Sequence, residues 1–230
     1  MKITVLNGSP AGEDSITLYT LLYIRKHFPE HDYRILHVGQ KIRQMEKDPA
    51  LWRDTLADAD LILFCYPVYT FLVPAQLHRF IELVKESGIS LRGKYATQIS
   101  TSKHFYDVTA HRFIKDNCGD LGFKYVRGLS ADMDDLLHAR GREEALAFFR
   151  YVLWSMRNGH SEPAAAVRAP AIPAEIHPEA EKLACAAPKR IVIAADLSRS
   201  PEGRLLAMCQ RLQNRLPCEA RAIAYCEIIK

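Results

Sequence analysis

The chain has 230 residues, 48% of them hydrophobic and 25% charged, with a formal net charge of +4. Those values fit one domain of about 150 residues plus something smaller. The basic residues are scattered, which argues against a nucleic-acid footprint, and no apolar run reaches the roughly 20 residues of a membrane span.

A strand is predicted at once, over Lys2 to Leu6, with no charged-then-apolar leader before it; a cytoplasmic protein is expected. The strand ends in Asn7-Gly8-Ser9-Pro10, and a hydroxyl-rich turn, Gly12 to Thr17, feeds a helix over Ile16 to Phe28 stopped by Pro29. Leu18, Leu21, Leu22 and Ile24 give that helix its apolar face. A helix start has unpaired N–H groups and partial positive charge, so it grips a phosphate without Lys or Arg. Ser9, Ser15 and Thr17 add hydroxyl donors there. Neither the dinucleotide fingerprint Gly-x-Gly-x-x-Gly nor the Gly-Lys-Ser/Thr phosphate loop is present.

Strands are expected next at Tyr33 to Val38, Asp60 to Tyr66, Tyr95 to Ser100 and Phe123 to Leu129. Helices fall between and after them, at Pro49 to Ala57, Pro74 to Ser87, Thr109 to Leu121 and Glu143 to Arg157. Asp60 to Tyr66 is almost wholly apolar, as a central parallel strand covered on both faces should be. Strands alternating with helices predict an α/β doubly wound five-stranded parallel sheet, in the order 2-1-3-4-5. Ligands in such sheets sit beyond the carboxyl ends of the strands, which here means the loops Asn7 to Thr17, Tyr66 to Val73 and Thr101 to Asp107.

The segment 159–188 carries five prolines and many alanines and is expected to be a linker, leaving residues 1–158 as the first domain. Residues 189–230 then repeat the opening pattern at an offset of 188: Ile3 falls on Ile191, Val5 on Ile193, Leu18 on Leu206 and Pro29 on Pro217. A βαβ unit is expected, either an ordinary one or the start of a second domain of the same kind. Asp196-Leu197-Ser198 replaces Gly8-Ser9-Pro10 in that copy, so no phosphate site is expected there.

Six cysteines occur with no Cys-x-x-Cys pair and are expected as reduced core thiols; no metal site is expected, His104 and His111 having no third ligand in the pattern. A phosphorelay receiver would need an acceptor aspartate where Cys65-Tyr66-Pro67 stands, and no Gly-x-Ser-x-Gly elbow supports a hydrolase. Asp132, Asp134 and Asp135 read either as a solvated loop or as an edge of the site, while Trp52 and Trp154 read as core or interface and His78 and Arg79 as surface.

Asn-Gly-Ser-Pro at 7–10, Ala-Asp-Leu-Ile-Leu-Phe-x-Tyr-Pro-Val-Tyr at 59–69 and Pro-Ala-Gln-Leu-His-Arg-Phe-Ile-Glu at 74–82 together resemble the NAD(P)H-dependent FMN reductases of the flavodoxin superfamily, in the branch that includes iron–sulfur flavoproteins. The resemblance covers about residues 1–158 and implies a flavodoxin-like fold. It implies that Ser9, Ser15, Ile16 and Thr17 hold the FMN phosphate and that Pro67, Val68, Tyr69 and Thr70 line the isoalloxazine ring. It further implies that the stretch from Thr101 and Ser102 to Tyr106 closes the other edge. Lys103 and His104 read either as an ordinary solvated turn or as functional groups, Lys103 then stabilising negative charge on reduced flavin or on a nicotinamide phosphate and His104 donating a proton.

Three departures stand out, one of them Ser102-Lys103-His104-Phe105-Tyr106 where many relatives have a glycine-rich run. Ala11-Gly12-Glu13-Asp14 follows the loop where many relatives carry Arg or Lys, and Gly39-Gln40-Lys41-Ile42-Arg43 stands where the iron–sulfur branch has cysteines. The expected activity is transfer of electrons from NADH or NADPH through FMN to a flavin, quinone or other small-molecule acceptor, with no nucleic-acid or membrane partner and with a homodimer as the assembly. The alternatives are a flavodoxin-like electron carrier without its own nicotinamide site and a protein that has lost flavin.

Overall fold

The computed structural model of the protein describes residues 1–103, 107–163, 190–195, 203–216 and 219–224. The chain divides into two compact units, Met1–Ala166 and Val167–Lys230.

In the first unit, strands β1 (Lys2–Asn7), β2 (Asp32–Leu36), β3 (Leu61–Pro67) and β4 (Tyr95–Ser102) form a parallel sheet in the order β2-β1-β3-β4. The outermost place is shared by two short strands, β5 (Lys124–Tyr125) and β6 (Leu129–Asp132), both parallel to β4. The expected order 2-1-3-4-5 is therefore observed. The register aligns Asn7 with Cys65 and Pro67 with Thr101, bringing the ends of β1, β3 and β4 to one edge.

Period-two alternation along the strands builds two cores. Ile3, Val5, Leu61, Leu63 and Cys65 face helices α1 (Ile16–His27) and α6 (Ala139–Arg157), which supply Leu18, Leu21, Ile24, Phe149 and Val152. Leu6, Ile62, Phe64 and Tyr66 face the other way, against α2 (Val38–Lys47), α3 (Arg53–Asp58), α4 (Ala75–Glu86) and α5 (Val108–Asp120). Each large side chain buried this way contributes about 1.5–3 kcal/mol relative to leaving it in water. Cys65 on β3 and Cys118 on α5 are free thiols with no exposed surface, and burial pushes both well above the ordinary thiol range. Trp52 is core, its Nε1 donating to the Met45 carbonyl at 3.1 Å. Trp154 is 53% exposed and stacks on Tyr151. His78 is half-buried against the Phe113 ring rather than on the surface.

Three stretches differ from expectation, the first being the expected helix Pro49 to Ala57, which is a 3-10 turn over Pro49–Leu51 followed by α3. Helix α2 occupies a stretch expected to be strand end and loop, with Val38, Ile42 and Met45 at helical spacing packing into the core. The expected strand Phe123 to Leu129 is broken into β5 and β6. Gly128 sits so close to Gln98 that an added Cβ would lie 2.3 Å from its Cγ, and the Arg127 carbonyl turns to accept from the Thr97 hydroxyl instead of a ladder partner. The ladder resumes at Leu129 opposite Ile99.

In the second unit, β7 (Ile191–Ala195) pairs in parallel with β8 (Ala220–Ala224), and α7 (Arg204–Arg215) connects them, as the βαβ pattern predicts. The linker segment from 164 to 189, the Asp196-Leu197-Ser198 turn and the end of the expected last strand lie outside the described residues. Among the described residues no helix is long and apolar enough to cross a membrane.

Candidate functional site

The loop after β1 is shaped by Asn7, a fully buried side chain. Its Oδ1 accepts from the Ser9 N–H at 3.1 Å and its Nδ2 donates to the Gly12 carbonyl at 2.8 Å. The Ser9 hydroxyl accepts from the Ala11 N–H at 3.2 Å, closing the turn and leaving its own hydrogen to donate. Gly12 has φ +62°, in the left-handed region that favours glycine. From below, α2 presses on the loop: an added Cβ on Gly39 would meet the Ser9 carbonyl oxygen at 2.2 Å. Ser15 is the N-cap of α1, its hydroxyl accepting from the Leu18 N–H at 3.4 Å. The N–H groups of Ile16 and Thr17, in the helix's first turn, have no intrahelical acceptor and point out of its end.

The second wall comes from the chain leaving β3. Val68 N–H donates to the Thr101 carbonyl at 3.0 Å, tying the exit of β3 to the end of β4. Tyr69 and Leu72 then exchange two backbone hydrogen bonds, of 2.9 and 3.1 Å, across a two-residue turn. Its central residues Thr70 and Phe71 have φ +47° and +71°, although neither is glycine. Side chains in that region cost about 1–3 kcal/mol each, and such strain gathers at ligand clamps. The turn carries the exposed rings of Tyr69 and Phe71 to the rim.

Between these walls lies a cavity of about 590 Å³, within the usual size of a small-molecule site. Ser9, Ser15, Ile16, Thr17, Pro67, Val68, Tyr69, Thr70, Thr101, Ser102 and Lys103 all line it, so the three predicted loops converge on one space. The Thr17 and Thr101 hydroxyls are 2.5 Å apart on its floor. His104 and Tyr106 lie outside the described residues.

Lys103 is not a free charge: its ammonium reaches Asp134 at 3.0 Å and Asp132 at 3.4 Å. The bond to Asp134, followed by the field of Asp132, raises its pKa. The two acids are held in turn by their own loop, Asp132 N–H donating to Asp135 at 2.7 Å and Asp134 N–H to Asp132 at 3.1 Å. Of this loop only Met133 lines the cavity, and Asp132 and Asp134 stand beside it through Lys103.

Ala11, Asp14, Phe71 and Met133 also line the cavity. In the sequence Ala11 and Asp14 stand out only as departures from the family pattern, and the one signal for Met133 is the position of its acidic loop just past a strand end. Asn7 and Gly39 shape the loop without lining the cavity, so neither residue type signals a ligand in the sequence.

A sheet in the order 2-1-3-4-5 with a hydroxyl-lined loop after its first strand defines a flavodoxin-like α/β protein. The family model for NADPH-dependent FMN reductase matches residues 1–123, over half of the chain, and the chain belongs to that family. It is accordingly an FMN-dependent oxidoreductase.

Solved structures agree on the fold. An NAD(P)H:quinone oxidoreductase from Methanothermobacter marburgensis superposes with a TM-score of 0.50 at 15% identity, over 70% of this chain and 96% of that one. Smu.1420 from Streptococcus mutans gives 0.50 at 19% identity, over 69% and 100%. RosB with bound 8-demethyl-8-formylriboflavin-5′-phosphate gives 0.52 at 12%, over 82% and 99%. No curated protein matches significantly.

The residues present fit FMN. Its phosphate needs neutral donors in a tight loop, supplied by the N–H groups of Ile16 and Thr17 and the hydroxyls of Ser9 and the Thr17–Thr101 pair. Its flat ring needs an apolar wall with backbone edges, supplied by Pro67 to Phe71.

Proposed function

We propose that the protein is a reductase that takes electrons from a reduced nicotinamide and delivers them to a small-molecule acceptor such as a quinone or flavin. The observation that supports this most is the single cavity in which the phosphate loop at the start of α1 faces the strained Tyr69–Leu72 turn. When bound, FMN supplies the redox chemistry, accepting hydride from the nicotinamide and releasing electrons to the second substrate.

The chain's part is binding and orientation. Ser9, Ser15, Ile16 and Thr17 grip the phosphate. Pro67, Val68, Tyr69 and Thr70 set the ring plane, and the Val68–Thr101 hydrogen bond fixes the spacing between the ring wall and the floor. Thr101 and Ser102 close the second edge. Lys103, held by Asp132 and Asp134, presents a positioned cation at the mouth. His104 and Tyr106 belong to the same proposal as proton donor and ring contact.

The reading carries a cytoplasmic location, no nucleic-acid or membrane partner, and a homodimer; the exposed Tyr69, Phe71 and Leu72 at the cavity rim favour the last. It also takes residues 1–158 as the flavin domain, 159–188 as a linker and 189–230 as the opening of a second flavodoxin-like domain, for which the parallel β7–β8 pair is the support.

The test is to titrate the purified protein with FMN, following visible absorbance, and then to assay nicotinamide oxidation with a quinone. Stoichiometric binding with turnover is expected. A protein that stays colourless and binds no FMN is not a flavoprotein reductase, and one that binds FMN but turns over no nicotinamide is an electron carrier.

A further inference from the structure

We infer that His37, at the start of α2 and outside the cavity lining, is a positioning residue for the phosphate end of the site. Its neutral imidazole holds Asn7, and through Asn7 the loop that tells a phosphorylated flavin from an unphosphorylated one. The inference rests on the reading of the cavity as an FMN site.

Sheet register brings the two residues together. Leu6 on β1 pairs with Leu36 on β2, so Asn7 and His37 leave the paired region side by side. The Asn7 amide has one workable orientation. Its Oδ1 meets the Ser9 N–H, a donor, at 3.1 Å, and its Nδ2 meets the Gly12 carbonyl, an acceptor, at 2.8 Å. Exchanging the two atoms would set donor against donor and acceptor against acceptor. Nδ2 then has one hydrogen left, and His37 Nδ1 lies 3.3 Å from it. An amide nitrogen only donates, so Nδ1 accepts and the ring proton sits on Nε2. Nε2 is in turn 4.0 Å from the Glu13 carboxylate.

The ring is held where it can act. The His37 side chain is 18% exposed, and its carbonyl accepts from the N–H groups of Gln40 and Lys41 at 3.3 and 2.9 Å, which fixes it to the first turn of α2. The same turn touches the loop at two more points. Gly39 backs the Ser9 carbonyl, and the Gln40 carboxamide lies against Gly12, where an added Cβ would stand 2.1 Å from its Nε2. The His37 bond is the directional one of the three contacts, and it satisfies a hydrogen of an amide with no exposed surface. A buried donor stripped of its acceptor costs more than an average hydrogen bond contributes. Relaxation of Asn7 would release the Ser9 N–H and the Gly12 carbonyl that it pins. The ring wall, Pro67 to Thr70, leaves from β3 and does not depend on that amide.

The experiment uses the full-length protein and two ligands that differ only in the phosphate, FMN and riboflavin. Their dissociation constants are measured by fluorescence quenching for the wild type, His37→Leu and His37→Asn. The wild type is expected to bind FMN more tightly than riboflavin. His37→Leu is expected to lower FMN affinity about tenfold and riboflavin affinity less than about twofold. His37→Asn, whose side-chain carbonyl can take the place of Nδ1, is expected to keep most of the FMN affinity. Unchanged FMN affinity in His37→Leu, an equal loss for both flavins, or a His37→Asn protein as weak as His37→Leu overturns the inference while leaving the flavin site intact. Nitrogen NMR of the wild-type histidine rings in mildly alkaline buffer needs no variant to fold: His37 is expected as the Nε2–H tautomer, and a proton on Nδ1 overturns the inference. A wild type that binds no FMN removes the parent reading, and this one with it.

Discussion

Thr17 Oγ1 and Thr101 Oγ1 meet at 2.5 Å, joining the first turn of α1 to the end of β4 beneath the candidate phosphate site. Both side chains are buried, and one of the two hydroxyl hydrogens is used between them. The pair therefore retains one donor for a ligand. Thr17→Val keeps the shape and removes both functions. FMN affinity should fall about tenfold and stability by about 1 kcal/mol, in line with the loss of one hydrogen bond each. Fluorescence titration of FMN and urea denaturation read the two effects. In the Thr17→Val/Thr101→Val double variant the losses should not add, since the residues share the bond.

Gly39 separates the loop's shape from its donors. A Cβ there would lie 2.2 Å from the Ser9 carbonyl oxygen, a backbone atom that cannot swing away. Gly39→Ala should cost about 1–3 kcal/mol by overpacking and should weaken FMN binding by displacing Ser9. Gly93→Ala is the control for a generic glycine effect: its φ of +82° is equally unfavourable to a side chain, but nothing lies within 4 Å of its added Cβ. It should lower stability yet spare FMN affinity. Equal loss of FMN in both variants would refute the role given to α2.

The Thr70–Phe71 turn makes a prediction of opposite sign for stability. Glycine accepts a positive φ without steric penalty, so Thr70→Gly should stabilise the fold, by about 0.5–1 kcal/mol after its entropic cost. The same change frees the turn that carries Tyr69 and Phe71, so FMN should bind more weakly in the more stable protein. A thermal shift and an FMN titration on the same sample would show whether the two move apart.

The histidine on α5 gives a pH dependence. His111 Nε2 lies 2.8 Å from Ser100 Oγ, and burial holds its pKa below the ordinary 6.5 despite the pull of Asp107. The unfolded chain therefore binds a proton that the folded chain refuses. Its contribution is complete above pH 6.5 and is lost as pH falls from 6.5 toward the lower folded value. His31 and His78, also lowered by burial, act in the same direction. Urea midpoints between about pH 5 and 7 should fall with acidification, and His111→Gln should flatten that slope. An unchanged slope would assign the effect to other groups.

How much was legible follows from how local each signal is. Strands β1 and β3 announce themselves because burial on both faces demands unbroken apolar runs, and the hydroxyl-rich loop because its hydroxyls lie within nine residues of one another, Ser9 to Thr17. Helix α2 is only faintly legible: Val38, Ile42 and Met45 keep helical spacing in a stretch dominated by polar residues. The β5–β6 break was not legible. It depends on how closely Gly128 approaches Gln98, a residue thirty positions away in the chain. The site was readable to the extent that it comes from strand ends, which the sheet order aligns. Met133 and the carboxylates on Lys103 reach it only through tertiary pairing of β6 with β4.

Cys65 and Cys118 sit on opposite faces of the sheet, each wholly enclosed and each held as a neutral thiol. Alkylating reagents attack the thiolate and need access, so neither sulfur should be modified while its layer stays shut. Mass spectrometry that resolves label at each position would turn the pair into two independent clocks. One times the parting of α1 and α6 from the sheet, the other the parting of α5, and simultaneous labelling would mean that both halves of the sandwich come apart in a single event.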